Sequence, residues 1–133
     1  MKKVILVIVA AVFLASCLND DKPKFGLEFL PIESTITPDT LFFGKVDTIK
    51  LKYKLPNNCY SFNDLYYEQK DSTRTVAVRA SVQLDVTCSD TSIEKDFKFT
   101  VMASQREDYV FRFFKGFNAA GESTFEDVVI PVK

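Results

Sequence analysis

The sequence predicts an all-β domain folded as a sandwich of two packed sheets. Apolar and polar residues alternate strictly in several segments of the 133-residue chain, as half-buried strands require. About seven such segments follow one another at short spacing from residue 26 onward, a number and spacing typical of a sandwich. No helical periodicity is long enough to compete. At this size we expect one domain with one core, over residues 26–133.

The residues before this domain have the layout of an export signal. Lys2 and Lys3 precede an apolar run of 12 residues that ends in small residues. Such a run is too short for a transmembrane helix, which needs about 20 residues. Segment 14–17, Leu-Ala-Ser-Cys, resembles the lipobox of bacterial lipoproteins. That resemblance implies cleavage of a signal peptide at 1–16, diacylglycerol on the Cys17 thiol and acylation of the new amino terminus. A plain cleaved signal is the alternative, and it would leave Cys17 as a free thiol.

Residues 17–25 are expected to form a short lipidated tether, because they are mostly polar and include a proline. Several acyl chains hold a protein on a membrane almost permanently, whereas one chain holds it reversibly. Asp20 and Asp21 resemble the signal that moves some Gram-negative lipoproteins to the outer face of the outer membrane. We therefore expect a lipid-anchored protein of the cell outer membrane, on its periplasmic or its surface-exposed face.

The strands are predicted in chain order from their alternation. The clearest, at 48–55, alternates lysines with apolar residues and ends at Pro56. Four further strands have the same pattern, at 76–84, 97–101, 109–113 and 125–132. Two weaker candidates lie at 27–36 and 59–69.

Three local patterns resemble immunoglobulin and fibronectin type III domains: a glycine turn into a strand at 44–51, a strand that begins with Tyr109 at 108–113, and a turn at 118–121. In those families the tyrosine hydroxyl ties back to upstream backbone. The resemblance implies an immunoglobulin-like antiparallel β-sandwich of about seven strands. The chain has no tryptophan and lacks their cysteine positions, so it resembles a divergent bacterial immunoglobulin-like lipoprotein of no assigned function. Such folds host unrelated functions.

Lipidation of Cys17 would leave Cys59 and Cys88 as an even pair in an exported chain. We expect them to form a disulfide; two independent buried thiols are the alternative. If 59–69 and 74–84 form a hairpin that turns at 70–73, a register with residue 59 opposite residue 88 would let the bond close the open end of the hairpin. A slip of one residue would reverse the facing sides.

Charge and residue types argue against several functions. Without residues 1–16 the chain has 15 basic and 18 acidic residues, a net charge of −3, and its scattered lysines give no reason to bind nucleic acid. There is no histidine, no Gly-x-Ser-x-Gly motif and no calcium-loop spacing of carboxylates. We expect no catalytic residues, no metal and no cofactor. A hydrolase with two carboxylates within about 10 Å is a further alternative.

Segment 59–68 has an excess of large side chains. Its alternation predicts Tyr60, Phe62 and Tyr66 on one face, with Leu65 and Tyr67 on the other. The segment is either a central strand covered on both faces or a strand that presents tyrosines to a partner. Tyr60, Tyr66 and Tyr67 are therefore the candidate ligand-binding residues.

The function expected is that of a lipid-anchored, non-catalytic binding or assembly module, with an envelope protein or a glycan as partner. The alternative is a carbohydrate-binding accessory lipoprotein of a surface uptake system, whose tyrosines stack on sugar rings. Exposed coplanar tyrosines would favour sugar, and a flat apolar patch would favour protein. Three Asp-Thr or Asp-Ser triplets also resemble bacterial O-glycosylation acceptors, at 39–41, 47–49 and 71–73.

Overall fold

A computed structural model describes residues 22–133, so the predicted signal at 1–16, Cys17 and the first part of the tether lie outside the described residues. The described residues form eight strands in two sheets and no helix, which confirms the predicted all-β sandwich. Nothing in 22–133 is a helix of the length and hydropathy needed to cross a membrane. The strands are β1 (Phe25–Leu30), β2 (Ile32–Ile36), β3 (Val46–Leu55), β4 (Tyr60–Lys70), β5 (Thr73–Gln83), β6 (Ile93–Met102), β7 (Tyr109–Phe117) and β8 (Ser123–Ile130).

Segment 27–36, predicted as one strand, is two. Pro31 lies between β1 and β2, and a proline has no N–H to donate to a ladder. β1 pairs with β5 in one sheet, and β2 pairs with β3 in the other. The chain thus changes sheets at Pro31, and the count rises from about seven strands to eight.

Strand β5 organises the large sheet, which contains β1, β4, β5, β7 and β8. One edge of β5 pairs with β4. The other edge is shared, because β1 pairs with residues 78–83 and β7 pairs with residues 73–76. The β5–β7 pair is parallel, a local departure from the antiparallel sandwich that the sequence predicts. The small sheet has the order β2-β3-β6.

The core lies between the sheets, and the predicted alternation builds it. The inward rows of three strands are buried almost completely: Ile49, Leu51 and Tyr53 of β3, Val76, Val78 and Ala80 of β5, and Tyr109, Phe111 and Phe113 of β7. Successive rings of the β7 row stack with centroids 6.0 Å apart. The Tyr109 hydroxyl accepts a 3.0 Å hydrogen bond from the Ser104 N–H, the predicted contact with upstream backbone.

The predicted disulfide is present, with the Cα atoms of Cys59 and Cys88 5.7 Å apart. The predicted hairpin turn is also present, since Lys70 pairs with Thr73. The predicted register is wrong, because Tyr60 lies opposite Val82 and β5 ends at Gln83. The chain then turns, with a φ of 59° at Asp85, and returns to Cys59. The disulfide therefore fastens the β5–β6 connection to the start of β4.

Candidate functional site

A β-bulge in β4 determines which of its aromatic side chains face outward. The β4–β5 register shifts between Phe62 and Asp64, so Asn63 is an extra residue on the β4 side. The bulge reverses the alternation beyond it. As a result, four side chains lie opposite the inward row of β5: Tyr60, Phe62, Leu65 and Tyr67. The predicted grouping of Tyr66 with Tyr60 and Phe62 is therefore wrong, and Tyr66 faces outward.

Two of the three candidate tyrosines lie on the core side of β4. Tyr60 packs against the core, and its hydroxyl donates a 2.7 Å hydrogen bond to Glu28, which raises the pKa of Tyr60. Tyr67 packs edge-on against Phe99 of the small sheet, with ring centroids 6.0 Å apart. Burial raises the pKa of Tyr67, and the charge of Arg74 opposes that rise.

Tyr66 belongs to a cluster of rings on the outer face of the large sheet, which we call the aromatic face. It consists of Phe29, Tyr66, Phe114, Phe117 and Phe125. Phe114 is its centre and is only 3% exposed, with ring centroids at 6.2 Å from Phe29, 5.3 Å from Phe117 and 5.9 Å from Phe125. Phe29 in turn lies 5.5 Å from Tyr66. The sheet thus has an apolar cluster outside its main core.

The rim of this cluster is open to solvent. Phe117 is 62% exposed and Phe29 is 41% exposed. Contacting rings cross at 61° to 81°, so no contacting pair is coplanar. A shallow cavity of about 350 Å³ lies over Ala77, with Glu68, Thr75 and Ser123 as its polar wall. The arrangement suits the uneven apolar surface of a protein better than the flat face of a sugar ring.

Two arginine–aspartate pairs flank the aromatic face. Arg79 donates two hydrogen bonds to the Asp64 carboxylate, with Nε 2.6 Å from Oδ1, and these bonds lower the pKa of Asp64. Arg112 donates a 3.0 Å hydrogen bond to Asp127 and lies 4.6 Å from the centroid of Phe125. Because each guanidinium is matched by a carboxylate, these pairs add no net charge to the face.

The apolar surface continues along β1 toward the tether. Phe25 and Leu27 share the outward side of β1 with Phe29 and are about as exposed as Phe117, at 60% and 61%. They lie opposite Gln83 and Ser81 at the end of β5. The exposed row therefore begins where the chain enters the domain.

Sequence reasoning missed four of the five rings of the aromatic face and placed Tyr66 on the wrong side. One signal was available in the adjacent pair Phe113 and Phe114. A strand that buries Tyr109, Phe111 and Phe113 must direct Phe114 to the opposite side. Nothing comparable marks Phe117, since a second register shift lies between Phe114 and Gly116.

Within the part of the chain that the structure describes, no three His, Cys, Asp or Glu side chains come together as a metal site would require. The lysines that alternate with the apolar residues of β3 are exposed, and two of them have acidic partners: Lys52 lies 3.3 Å from Glu94, and Lys54 lies 3.3 Å from Glu33. The chain matches no family model, no curated protein and no solved structure. Its own geometry is therefore the basis for assigning a function.

Proposed function

We propose that this chain is a lipid-anchored, non-catalytic binding module of the cell envelope, and that it binds a protein partner through the aromatic face. The observation that carries the proposal is the exposure of Phe29 and Phe117 around the buried Phe114. Contiguous apolar patches with a polar rim mark sites of association. Aromatic side chains supply most of the binding energy where such a patch is covered.

A protein partner fits the face better than a glycan does. Of the three candidate tyrosines, Tyr66 alone lies among the outward rings, and its hydroxyl donates a 3.0 Å hydrogen bond to Glu68. The contacting rings cross steeply, so none of these pairs offers the parallel faces on which sugar rings stack. The flanking charges are already paired within the domain. What is left for a partner is apolar surface with little net charge, the character of an interface core.

The anchoring part of the proposal rests on the lipobox resemblance around Cys17. Phe25 lies eight residues after Cys17, so the tether would reach at most about 28 Å. A domain held that close to the bilayer meets partners that are themselves in the membrane or at its surface. Anchoring of this kind raises the effective concentration of the two surfaces and so favours even a modest interface.

Site-specific photo-crosslinking in intact cells tests the binding surface. A photoreactive phenylalanine analogue would replace Phe117 in one variant and Phe42 in a matched control. Phe42 is 56% exposed but lies at the opposite end of the domain, next to the contact of Leu41 with the segment after β8. We expect one discrete crosslinked envelope protein at position 117, none at position 42, and loss of the crosslink when Phe29→Asp is added.

Three outcomes would contradict this assignment. Equal crosslinks at positions 117 and 42 would mean that the aromatic face has no special role. A crosslink only to a second copy of the chain would replace the partner with a homodimer. Binding of an isolated envelope glycan that Tyr66→Ala abolishes, without any protein crosslink, would support the carbohydrate-binding alternative instead.

A further inference from the structure

A buried cation lies at the end of the domain opposite the tether. Arg74, the second residue of β5, is 2% exposed and is the single buried charged side chain in residues 22–133. Its Nη1 donates to the backbone carbonyls of Asp71 and Thr73, at 2.7 and 3.1 Å. Its Nη2 donates to Oε1 of Gln105 at 3.2 Å. All three acceptors are neutral.

No carboxylate of residues 22–133 forms an ion pair with this guanidinium. Every ion pair among the described residues has a lysine or another arginine as its cation, and none includes Arg74. The ring of Tyr109, 4.8 Å from the guanidinium carbon, offers a weaker attraction. A buried charge is costly to leave without an opposite charge. The site is therefore electrostatically incomplete on the protein side.

The guanidinium also has hydrogen-bond donors to spare. It has five N–H groups, and three of them make the bonds to Asp71, Thr73 and Gln105. Burial raises the pKa of Tyr67, and a side-chain hydrogen bond with Arg74 acts to lower it, so Tyr67 lies against the guanidinium as well. A planar guanidinium beside a hydroxyl can present N–H and O–H donors to the two oxygens of one carboxylate.

A cavity of about 330 Å³ adjoins Arg74, between the edges of the two sheets. Its polar lining includes Tyr67, Thr100 and Ser104, whose hydroxyl groups can donate to an anion. Its apolar lining includes Leu65 and Met102, which suit a short hydrocarbon portion. The volume lies at the lower end of the range usual for small-molecule sites. This cavity is on the core side of β4 and is separate from the aromatic face.

We infer that this cavity binds a small organic carboxylate, with Arg74 as its charge partner and Tyr67 as a second donor. One buried positive charge balances one carboxylate, whereas a phosphate would bring excess negative charge into the same space. Charge-assisted hydrogen bonds from the guanidinium and from the Tyr67 hydroxyl would hold the carboxylate beside the buried charge. The existing bonds to Asp71, Thr73 and Gln105 fix the guanidinium in advance, so little ordering is needed on binding.

The test is an NMR titration of the isotope-labelled full chain in detergent micelles, with sodium acetate as probe and sodium chloride at equal ionic strength as reference. We expect saturable shifts of the Arg74 Nε–H and of the Thr100 and Ser104 amides with acetate alone. Arg74→Lys should abolish the saturable shifts, because a lysine ammonium is a point charge and lacks the planar set of N–H donors of a guanidinium. The matched control Arg112→Lys changes an exposed arginine and should leave the acetate affinity unchanged.

A second variant covers the case in which Arg74→Lys does not fold. Tyr67→Phe removes one hydroxyl and should weaken acetate binding about tenfold, the effect of losing one hydrogen bond to a charged group. Equal shifts with acetate and chloride would overturn the inference. So would an unchanged affinity in Arg74→Lys or Tyr67→Phe, or tighter binding of inorganic phosphate than of acetate.

Discussion

The Asp64–Arg79 pair is expected to make the stability of the fold vary with pH in the acid range. The hydrogen bonds from Arg79 lower the pKa of Asp64 because they favour its charged form. A pKa lower in the folded than in the unfolded state stabilises the fold above the unfolded value, about 4 for an aspartate, and this stabilisation disappears as the pH falls through the folded value. Asp64→Asn should therefore lower the melting temperature at neutral pH, and the difference from the parent should vanish in strong acid. Thermal unfolding of both proteins over a pH series measures this, and a difference that stays constant into strong acid would contradict it.

Burial separates the aromatic residues that hold the fold from those free to bind. Phe111 is fully buried, so Phe111→Ala should lower the free energy of unfolding by about 3 to 5 kcal/mol. Tyr66→Ala, on the outer face, should cost less than about 1 kcal/mol, and Tyr60→Ala and Tyr67→Ala should lie between these limits. Chemical denaturation of the four variants gives the comparison. If Tyr66→Ala cost as much as Phe111→Ala, Tyr66 would be structural and the proposed contact would be withdrawn.

The face of Tyr66 was beyond what alternation can predict. Alternation assigns sides correctly only while each residue has one partner, and the extra residue Asn63 breaks that condition. No local composition marks the bulge, since asparagine also occurs at exposed strand ends and in turns. Arg74 was missed for a similar reason. Its burial depends on Gln105 and Tyr109, which are distant in sequence.

At the scale of strands, prediction succeeded where a strand has one buried face. β3 and the first five residues of β7 alternate cleanly because their inner sides meet the core and their outer sides are at least partly exposed. The split of β1 from β2 occurs at Pro31, which is visible in the sequence. That the chain changes sheets there depends on the position of the second sheet, which the local sequence does not reveal. The parallel pairing of β5 with β7 is a long-range choice that no local pattern encodes.

The Cys59–Cys88 disulfide should make the β5–β6 connection part of the folding unit. Cys59→Ala should lower the free energy of unfolding by about 2 to 5 kcal/mol, because the bond restricts the unfolded chain. Urea denaturation of the variant and of the parent under non-reducing conditions measures the loss. Cys88→Ala is the matched control and should give the same loss, since both remove one bond. Two free thiols in protein purified without reductant would refute the pairing.

At the scale of the whole domain, the proposed anchor and the proposed carboxylate site lie at opposite ends, and the aromatic face lies on one side. Phe25 lies opposite Gln83 at the end of β5, whereas Arg74 lies near its beginning. Nine residues of extended strand place the Arg74 cavity about 30 Å from the point where the tether enters. If Cys17 is lipidated, the cavity lies at the end of the domain that is far from the lipid anchor. The aromatic face then lies on the side of the domain, between these two ends.

Membrane attachment is predicted to depend on one atom, the sulfur of Cys17. Cys17→Ser should leave the precursor uncleaved or the product unanchored, since serine lacks the thiol that receives the lipid. Detergent phase partitioning of cell fractions separates anchored from free protein. Cys59→Ser is the matched control, because it removes a cysteine but should leave partitioning unchanged. Retention of Cys17→Ser in the detergent phase at the level of the parent would refute the lipoprotein interpretation.

The path of β1 also decides how the domain bears mechanical load. β1 runs antiparallel to β5 over six paired positions, and the Lys24 carbonyl just before it accepts a hydrogen bond from the Leu84 N–H. A pull transmitted through that segment therefore acts along the ladder, so that its hydrogen bonds are strained together in shear instead of being unzipped one after another. Beyond Pro31 the chain passes into the small sheet, so the same pull reaches both sheets. We expect the six β1–β5 pairs to resist such a pull together.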